Sequence, residues 1–277
     1  MKSILLKIFK FLSVIGVKKA IRENSALNEA WKDSFNTFSS FHDHFGTIVL
    51  DDEAELRIRM LISAQIVFLK KVIDELPEAE RKLNFLDVGD SDGSLRLLFE
   101  KKYPGLLSES LGINLQQSVV DEMNSNGLKA ECIDAMDLHM QNRKYDLVSL
   151  FETLEHLPNP IGFLENICLV VKDRLIISVP LIANSRVNLG YLDPKWPKSK
   201  TPTIATTHIF ELDPEDLKKI FWHTGWEIDL DWRVRPYPKY GPLNWILKFI
   251  WRRISFEGWY FVSLKKNDKF SSQYKIE

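Results

Sequence analysis

At 277 residues the chain can hold one large domain with additions or two small ones. Its 45% hydrophobic and 27% charged fractions are ordinary for a globular protein, and a net charge of −1 excludes a whole-molecule field that would gather nucleic acid. Cys132 and Cys168, the only cysteines, make neither a disulfide framework nor a cysteine metal site, which fits a reducing, cytoplasmic setting.

The first 22 residues carry Lys2, Lys7, Lys10, Lys18, Lys19 and Arg22 and no acid. Lys7 and Lys10 interrupt the apolar stretch, no small-residue cleavage site follows it, and the uncharged run Phe11 to Val17 is too short to span a bilayer. On a helix, Ile4, Leu5, Ile8, Phe9, Leu12 and Ile15 share one face and Lys7, Lys10 and Lys18 the opposite one. Such a basic amphipathic helix either packs on its own domain or makes peripheral membrane contact through residues 1–20. Residues 1–80 read as a helical extension. A loop rich in Phe, Ser and His runs from Ser34 to Gly46, and its His42 and His44 either stay on the surface or reach the mouth of a site. A long helix is expected from near Asp51, through Ile62, Ile66 and Leu69, to a stop before Pro77.

From residue 81 the pattern changes to alternating strand and helix. Strands are expected at Leu83–Val88, Ser110–Leu115, Leu128–Ile133, Tyr145–Phe151 and Arg174–Val179. Helices are expected at Ser94–Lys102, Gln116–Asn124 and Ile161–Val171. This alternation predicts an α/β fold whose parallel sheet is covered on both faces. Residues 183–207 are polar, contain Pro194, Pro197 and Pro202, and read as a loop or lid. Asp213-Pro214 supplies an N-cap and a first-turn proline for a helix closing near Gly225. Strands Trp226–Trp232 and Gly258–Leu264 follow, with an apolar helix inserted over 242–254.

The informative stretch is Phe85-Leu86-Asp87-Val88-Gly89-Asp90-Ser91-Asp92-Gly93-Ser94, a buried strand running into a small-residue turn that opens a helix. Such a turn lets backbone approach a ligand, and its N–H groups and the helix terminus can receive an anion. A dinucleotide fingerprint fits poorly, because serines stand at its second and third glycine positions. Gly89-Asp90-Ser91-Asp92-Gly93 also matches the G-x-S-x-G elbow of serine hydrolases, with Ser91 as nucleophile. Against that, the preceding residues read as helix, and Asp90 and Asp92 would put negative charge beside a developing oxyanion.

The stretch resembles the first motif of class I S-adenosylmethionine-dependent methyltransferases, an acid followed by three alternating glycines. Asp87, Gly89 and Gly93 match, and Ser91 replaces the middle glycine. The resemblance continues to about residue 265: Gly112-Ile113-Asn114 at the end of strand two, Cys132-Ile133-Asp134-Ala135-Met136-Asp137 after strand three, Asp146 to Glu152 with Thr153-Leu154-Glu155-His156-Leu157 after it, Ile176 to Pro180, and Thr224-Gly225-Trp226. It implies a Rossmann-like, mostly parallel seven-stranded sheet with an antiparallel C-terminal strand. It implies S-adenosylmethionine as cofactor, held by Asp87, Gly89, Ser91, Gly93, Asn114, Asp134, Ala135, Met136 and Phe151. Asn114 stands where the family has an acid for the ribose diol, and Asp134 where the adenine amino group is held.

Within that family the protein aligns the methyl group and removes a proton from the acceptor. Glu152-x-x-Glu155-His156 could set two carboxylates and an imidazole on one face of a helical turn. The pattern resembles the small-RNA 2′-O-methyltransferases and the ubiquinone-pathway O-methyltransferases, members of which hold a divalent metal with such residues plus a later histidine. The resemblance implies Glu152, Glu155, His156 and His208 as ligands of Mg²⁺ or Mn²⁺. The metal-free alternative leaves His156, Glu155 and His208 to orient or deprotonate the acceptor. Seven of the eight tryptophans lie after residue 195, and Trp245, Phe249 and Trp251 on the inserted helix, with Arg252 and Arg253, could line an apolar pocket. A small-molecule, quinone-like or glycolipid-sugar acceptor is expected, and the lack of a dense basic stripe argues against nucleic acid. A non-catalytic cofactor-binding module is the remaining alternative.

Overall fold

The structure is a computed structural model that describes residues 11, 14–38, 52–77, 82–187, 208–235 and 256–274. Residues 1–10, His42 and His44, most of the expected lid and the whole inserted helix lie outside the described residues.

Residues 14–22 are helical (α1), followed by α2 (Ser25–Thr37) and the 23-residue α3 (Asp52–Asp74). The alternating part follows as β1 (Leu83–Val88), α4 (Ser94–Lys102), β2 (Leu107–Asn114), α5 (Gln117–Ser125), β3 (Ala130–Cys132), β4 (Tyr145–Phe151), α6 (Pro160–Ile167) and β5 (Val171–Ile182). A two-residue pair, β6 (Arg186–Val187) and β7 (Phe210–Glu211), precedes α7 (Pro214–His223), β8 (Trp226–Val234) and β9 (Phe256–Lys266). The main sheet has seven strands in the order β3-β2-β1-β4-β5-β9-β8. All pairings from β3 to β5 are parallel, and β9 runs antiparallel to both its neighbours, as the sequence led us to expect. Strand order reverses between β1 and β4, so the crevice at their carboxyl ends is where an open α/β sheet binds ligands.

Alternate residues along each strand feed two apolar layers. Leu86, Val88, Val148, Leu150, Ile177 and Val262 meet α6 and α7 through Phe163, Leu164, Leu217 and Phe221. Phe85, Leu147, Ile176 and Phe261 point the other way, onto Met60, Phe68 and Leu69 of α3 and Leu98 and Phe99 of α4. Parallel strands buried on both faces need such near-continuous apolar runs. The amino-terminal helices therefore cover one face of the sheet. Val17 and Ile21 of α1 and Leu27 of α2 belong to the same layer. Arg59 of α3, fully buried, donates to the carbonyls of Ser34 (2.8 Å) and Phe38 (3.0 Å) and so satisfies the carboxyl end of α2.

Several boundaries differ from the sequence reading. Helix α6 stops at Ile167 rather than continuing to Val171, because Val171 pairs with Tyr145 of β4 and starts a longer β5. That strand runs on to Ile182 because β9 gives it an antiparallel partner well beyond the end of β4. Strand β2 begins at Leu107, opposite Leu83. The expected lid is not all loop, since Arg186–Val187 pairs with Phe210–Glu211. Asp213 caps α7 as expected, accepting from the N–H groups of Glu215 and Asp216.

Candidate active site

The first half of the site lies where β1 meets α4. Gly89 (φ 81°) and Gly93 (φ 74°) both occupy the left-handed region. A Cβ on Gly89 would stand 2.4 Å from Thr153 Oγ1, and one on Gly93 2.2 Å from Leu128 Cδ1. Asp90 joins the pieces of this loop. Its N–H and that of Gly89 donate to Ile113 O at 3.1 and 2.9 Å. Its carbonyl accepts from Asn114 Nδ2 (2.9 Å), its Oδ1 from Gly93 N–H (2.8 Å) and its Oδ2 from Arg96 Nε (2.6 Å). Arg96, on α4, is fully buried, and the pair fits only because residue 112 is glycine, where a Cβ would lie 2.4 Å from Asp90 Oδ2. Asp92 Oδ1 takes the N–H of Ser94 at 2.9 Å.

Two expectations change here. The charges of Asp90 and Asp92 are absorbed by the loop rather than directed at a ligand. The N–H groups of Gly93 and Ser94 are consequently taken, so a phosphate would not find them open. The elbow reading of Ser91 also fails. A nucleophile elbow strains the nucleophile's own backbone, whereas the left-handed residues in this turn are the glycines on either side of the exposed Ser91.

Asp87 faces the β4 side, where its Oδ1 accepts from Ser149 Oγ at 2.6 Å. Burial, aided by Asp90, pushes its carboxyl well above the usual range despite that bond. Asn114 has both ends of its amide in the local frame, because Gln116 N–H donates to its Oδ1 at 2.9 Å. Asp134 is exposed and caps the 3₁₀ turn Ala135–Gln141, accepting from Met136 N–H at 2.9 Å. Ala135 and Met136 are half-buried against the core, as is Phe151. Thr153 ties the two halves of the site together, donating to Val88 O (3.2 Å) and Phe151 O (3.0 Å).

The second half lies just beyond β4. Glu152 has φ 51°, an uncommon conformation for a residue with a Cβ. It is held by two bonds to β5, its N–H to Ser178 O (2.9 Å) and Ser178 Oγ to its Oε1 (2.8 Å). Burial pushes Glu152 up to about 7, against the pull of Ser178 and His208. Glu155 and His156 follow on the 3₁₀ turn Leu154–His156. Glu155 is only 2% exposed, and neither carboxylate oxygen has a hydrogen-bond partner among the described residues. Burial and the neighbouring Glu152 push it well above the usual range. A cavity of about 10 Å³ beside it, between Leu154, Pro160, Val179 and Phe210, is the size of one water.

His208 closes over this turn. Its ring meets that of His156 edge to face, with centroids 4.7 Å apart, and Ile209 N–H donates to Glu155 O at 2.8 Å. One ligand atom each from Glu155, His156 and His208 lie within 4.8 Å of one another. Glu152, named with them from sequence, falls outside that set and is turned to Ser178. Ser149, Thr153, Ser178 and Arg96 were not singled out from sequence. Each acts across strands or between loop and helix, where linear spacing carries no signal.

Comparison with known proteins agrees with this architecture. Residues 62–230 match the model of a family described as "Methyltransferase domain". No curated protein matches the chain. Among solved structures it is similar to the O-methyltransferase of a Brevibacillus brevis trans-AT PKS multienzyme in complex with S-adenosyl-L-homocysteine, at 14% identity over 79% of this chain and 76% of that one, TM-score 0.54. It is similar to the Burkholderia thailandensis 1,6-didemethyltoxoflavin-N1-methyltransferase with bound S-adenosylhomocysteine, at 16% identity over 87% and 89%, TM-score 0.52. The [4+2]-cyclase SpnF is similar to the same degree, at 17% identity over 87% and 94%, TM-score 0.53. Identities this low show the fold, while the family match covers more than half of the chain. The chain therefore belongs to the methyltransferase domain family and is a class I S-adenosylmethionine-dependent methyltransferase.

Proposed function

We propose that the protein methylates an oxygen of a small-molecule, quinone-like or glycolipid-sugar acceptor, with His156 and His208 as proton-handling groups beside Glu155. The observation that carries this reading is the convergence of these three side chains at the carboxyl end of β4, next to the cofactor loop. S-Adenosylmethionine supplies an electrophilic methyl group when bound. Asp87, the Gly89–Gly93 loop, Asn114, Asp134, Ala135, Met136 and Phe151 are the residues that would hold it. Thr153 fixes the β4 end against that loop, so acceptor and cofactor are held in one frame. An imidazole near neutrality is suited to taking the acceptor's proton.

The same groups fit a divalent cation. Two buried carboxylate oxygens without partners among the described residues, next to two imidazoles, form an oxygen and nitrogen donor set. Glu155, His156 and His208 would hold Mg²⁺ or Mn²⁺, which would supply a lowered pKa for a coordinated hydroxyl. The test is a screen of acceptors with labelled methyl donor, before and after chelation. If the metal takes part, chelation abolishes transfer, Mg²⁺ or Mn²⁺ restores it, and binding of S-adenosylhomocysteine is unaffected. In the metal-free route chelators change nothing and His156→Ala removes the activity. Cofactor binding with no transfer to any acceptor class would favour a non-catalytic module.

A lipid-linked acceptor gains support from α1. Val17 and Ile21 are buried, whereas Phe11 (66% exposed) and Ile15 (42% exposed) face outward together with Lys18 and Arg22. Ile15 and Lys18, expected from the sequence on opposite faces, thus share an exposed one, and apolar and basic groups together suit peripheral contact with an anionic membrane. Among the described residues no helix is long and apolar enough to cross one.

A further inference from the structure

Glu211 takes no direct part in the chemistry proposed above, yet it is buried (7% exposed) within reach of it. Strand β7 places it opposite Arg186 of β6. Its two oxygens have separate tasks: Oε2 accepts from Arg186 Nε, and Oε1 lies 2.9 Å from His208 Nδ1. The Arg186 guanidinium paired with Oε2 keeps Glu211 an ionised carboxylate, which can only accept. The Nδ1 of His208 must then carry a hydrogen. On the neutral ring the lone pair is left on Nε2, the nitrogen not committed to Glu211. The backbone between the two residues is pinned as well, through Ile209 N–H to Glu155 O at 2.8 Å.

We infer that Glu211, held in place by Arg186, is a positioning residue that fixes His208 in its Nδ1-protonated tautomer and so offers the Nε2 lone pair to the chemistry shared with His156 and Glu155. A base and a metal ligand have the same requirement, since either role needs an unprotonated nitrogen aimed by a partner on the other side of the ring. The charged groups around His208 are Arg186 and Glu211 on the β6–β7 pair, Glu155 and His156 on the turn after β4, and Glu152 at the strand end. The importance of His208 rests on the methyl-transfer reading above. Its tautomer does not, and it is measured with neither acceptor nor cofactor.

The experiment is long-range ¹H–¹⁵N correlation on the full-length, chelator-washed protein at a pH where the imidazoles are neutral, with His208 assigned by loss of its signals in His208→Gln. The expected spectrum shows Nδ1 with a pyrrole-type shift and Nε2 with a pyridine-type shift. In Glu211→Leu the two shifts converge or exchange. A carboxylate that served only to clamp β6 to β7 would lower the melting temperature and leave the His208 shifts unchanged. A folded Glu211→Leu protein with an unaltered His208 pattern overturns the inference. If that variant fails to fold, the wild-type spectrum still decides, because a pyrrole-type Nε2 on His208 overturns it directly.

Discussion

The two halves of the site, joined in space by Thr153, differ in how their polar groups are satisfied. In the cofactor loop Asp90 has its N–H, its carbonyl and both carboxylate oxygens engaged, and its partner Arg96 is buried with it. Beyond β4, Glu152 sits in a left-handed conformation, Glu155 has two oxygens without partners among the described residues, and burial raises both carboxyls. A loop complete in itself is prepared to receive a ligand without rearranging. A cluster left incomplete has its missing partners supplied by an acceptor, a proton or an ion. On the reading proposed above, the first half binds and the second carries the chemistry, and each predicts a different response to mutation.

The largest effect is expected in the loop. Gly89→Val adds a side chain at φ 81° and drives it into Thr153, so it should abolish the rise in melting temperature given by S-adenosylhomocysteine. A variant that still bound the ligand at wild-type affinity would mean that this turn does not hold the cofactor.

Next comes the buried pair. Arg96→Met leaves Asp90 without its cation, and burial already pushes that carboxyl up against the pull of Arg96. A cost of about 3–5 kcal/mol is expected in denaturant unfolding. The double variant Asp90→Asn/Arg96→Met should recover much of that stability while binding S-adenosylhomocysteine less tightly. If the single and double variants were equally destabilised, the ion pair would not be what holds the loop.

The second half should behave in the opposite sense. Glu155 has its pKa raised in the folded protein, so its penalty is absent below the ordinary range near 4.5 and grows as pH rises through the shifted value. Glu155→Gln should therefore leave the melting temperature unchanged near pH 4. Near pH 8 it should raise it by about 2–4 °C, the shift that roughly 1 kcal/mol produces in a domain of this size. Glu211, depressed to about 2, carries the reverse sign: its contribution is present above about pH 4.5 and is lost as pH falls toward 2. Glu211→Gln should thus cost stability at neutral pH and cost less at pH 3. Parallel pH profiles for the two variants would remove the contrast.

The smallest effect concerns α1. Phe11→Ser/Ile15→Ser alters an exposed face and should change stability by no more than about 0.5 kcal/mol. Co-sedimentation with anionic vesicles should fall, and wild-type binding should weaken at high salt. Equal sedimentation of both proteins would leave this face without a membrane role.

The extent of α4 and β4, the N-cap at Asp213 and the paired glycines were legible because each depends on local chemistry: apolar period, a capping oxygen, or a backbone only glycine adopts easily. Strand ends were misjudged where a distant partner sets them. Val171 belongs to β5 because Tyr145 lies beside it, and Arg186–Val187 is a strand because Phe210–Glu211 returns to it. At the site, Asp87, Gly89, Gly93, Glu155, His156 and His208 were read from motif order. Arg96, Ser149, Thr153, Ser178 and the contacts of Glu211 with His208 and Arg186 were not. Asp90 and Arg96 lie on loop and helix, Asp87 and Ser149 on two strands, and Glu152 and Ser178 on the turn after β4 and on β5.

The sequence by itself thus determined the class of fold, the family and the candidate residues of the site, because periodicity, glycine placement and motif order are properties of neighbours in the chain. Only the tertiary structure decided which of those side chains are satisfied and which are left open. Asp90, which the sequence left as a loop charge, is buried against Arg96, while the carboxylate oxygens of Glu155, one of the two acids of the Glu152-x-x-Glu155-His156 motif, have no partner among the described residues. The physical reason is that desolvation and hydrogen bonding depend on what packs around a group from other elements, and that is settled only when the sheet closes.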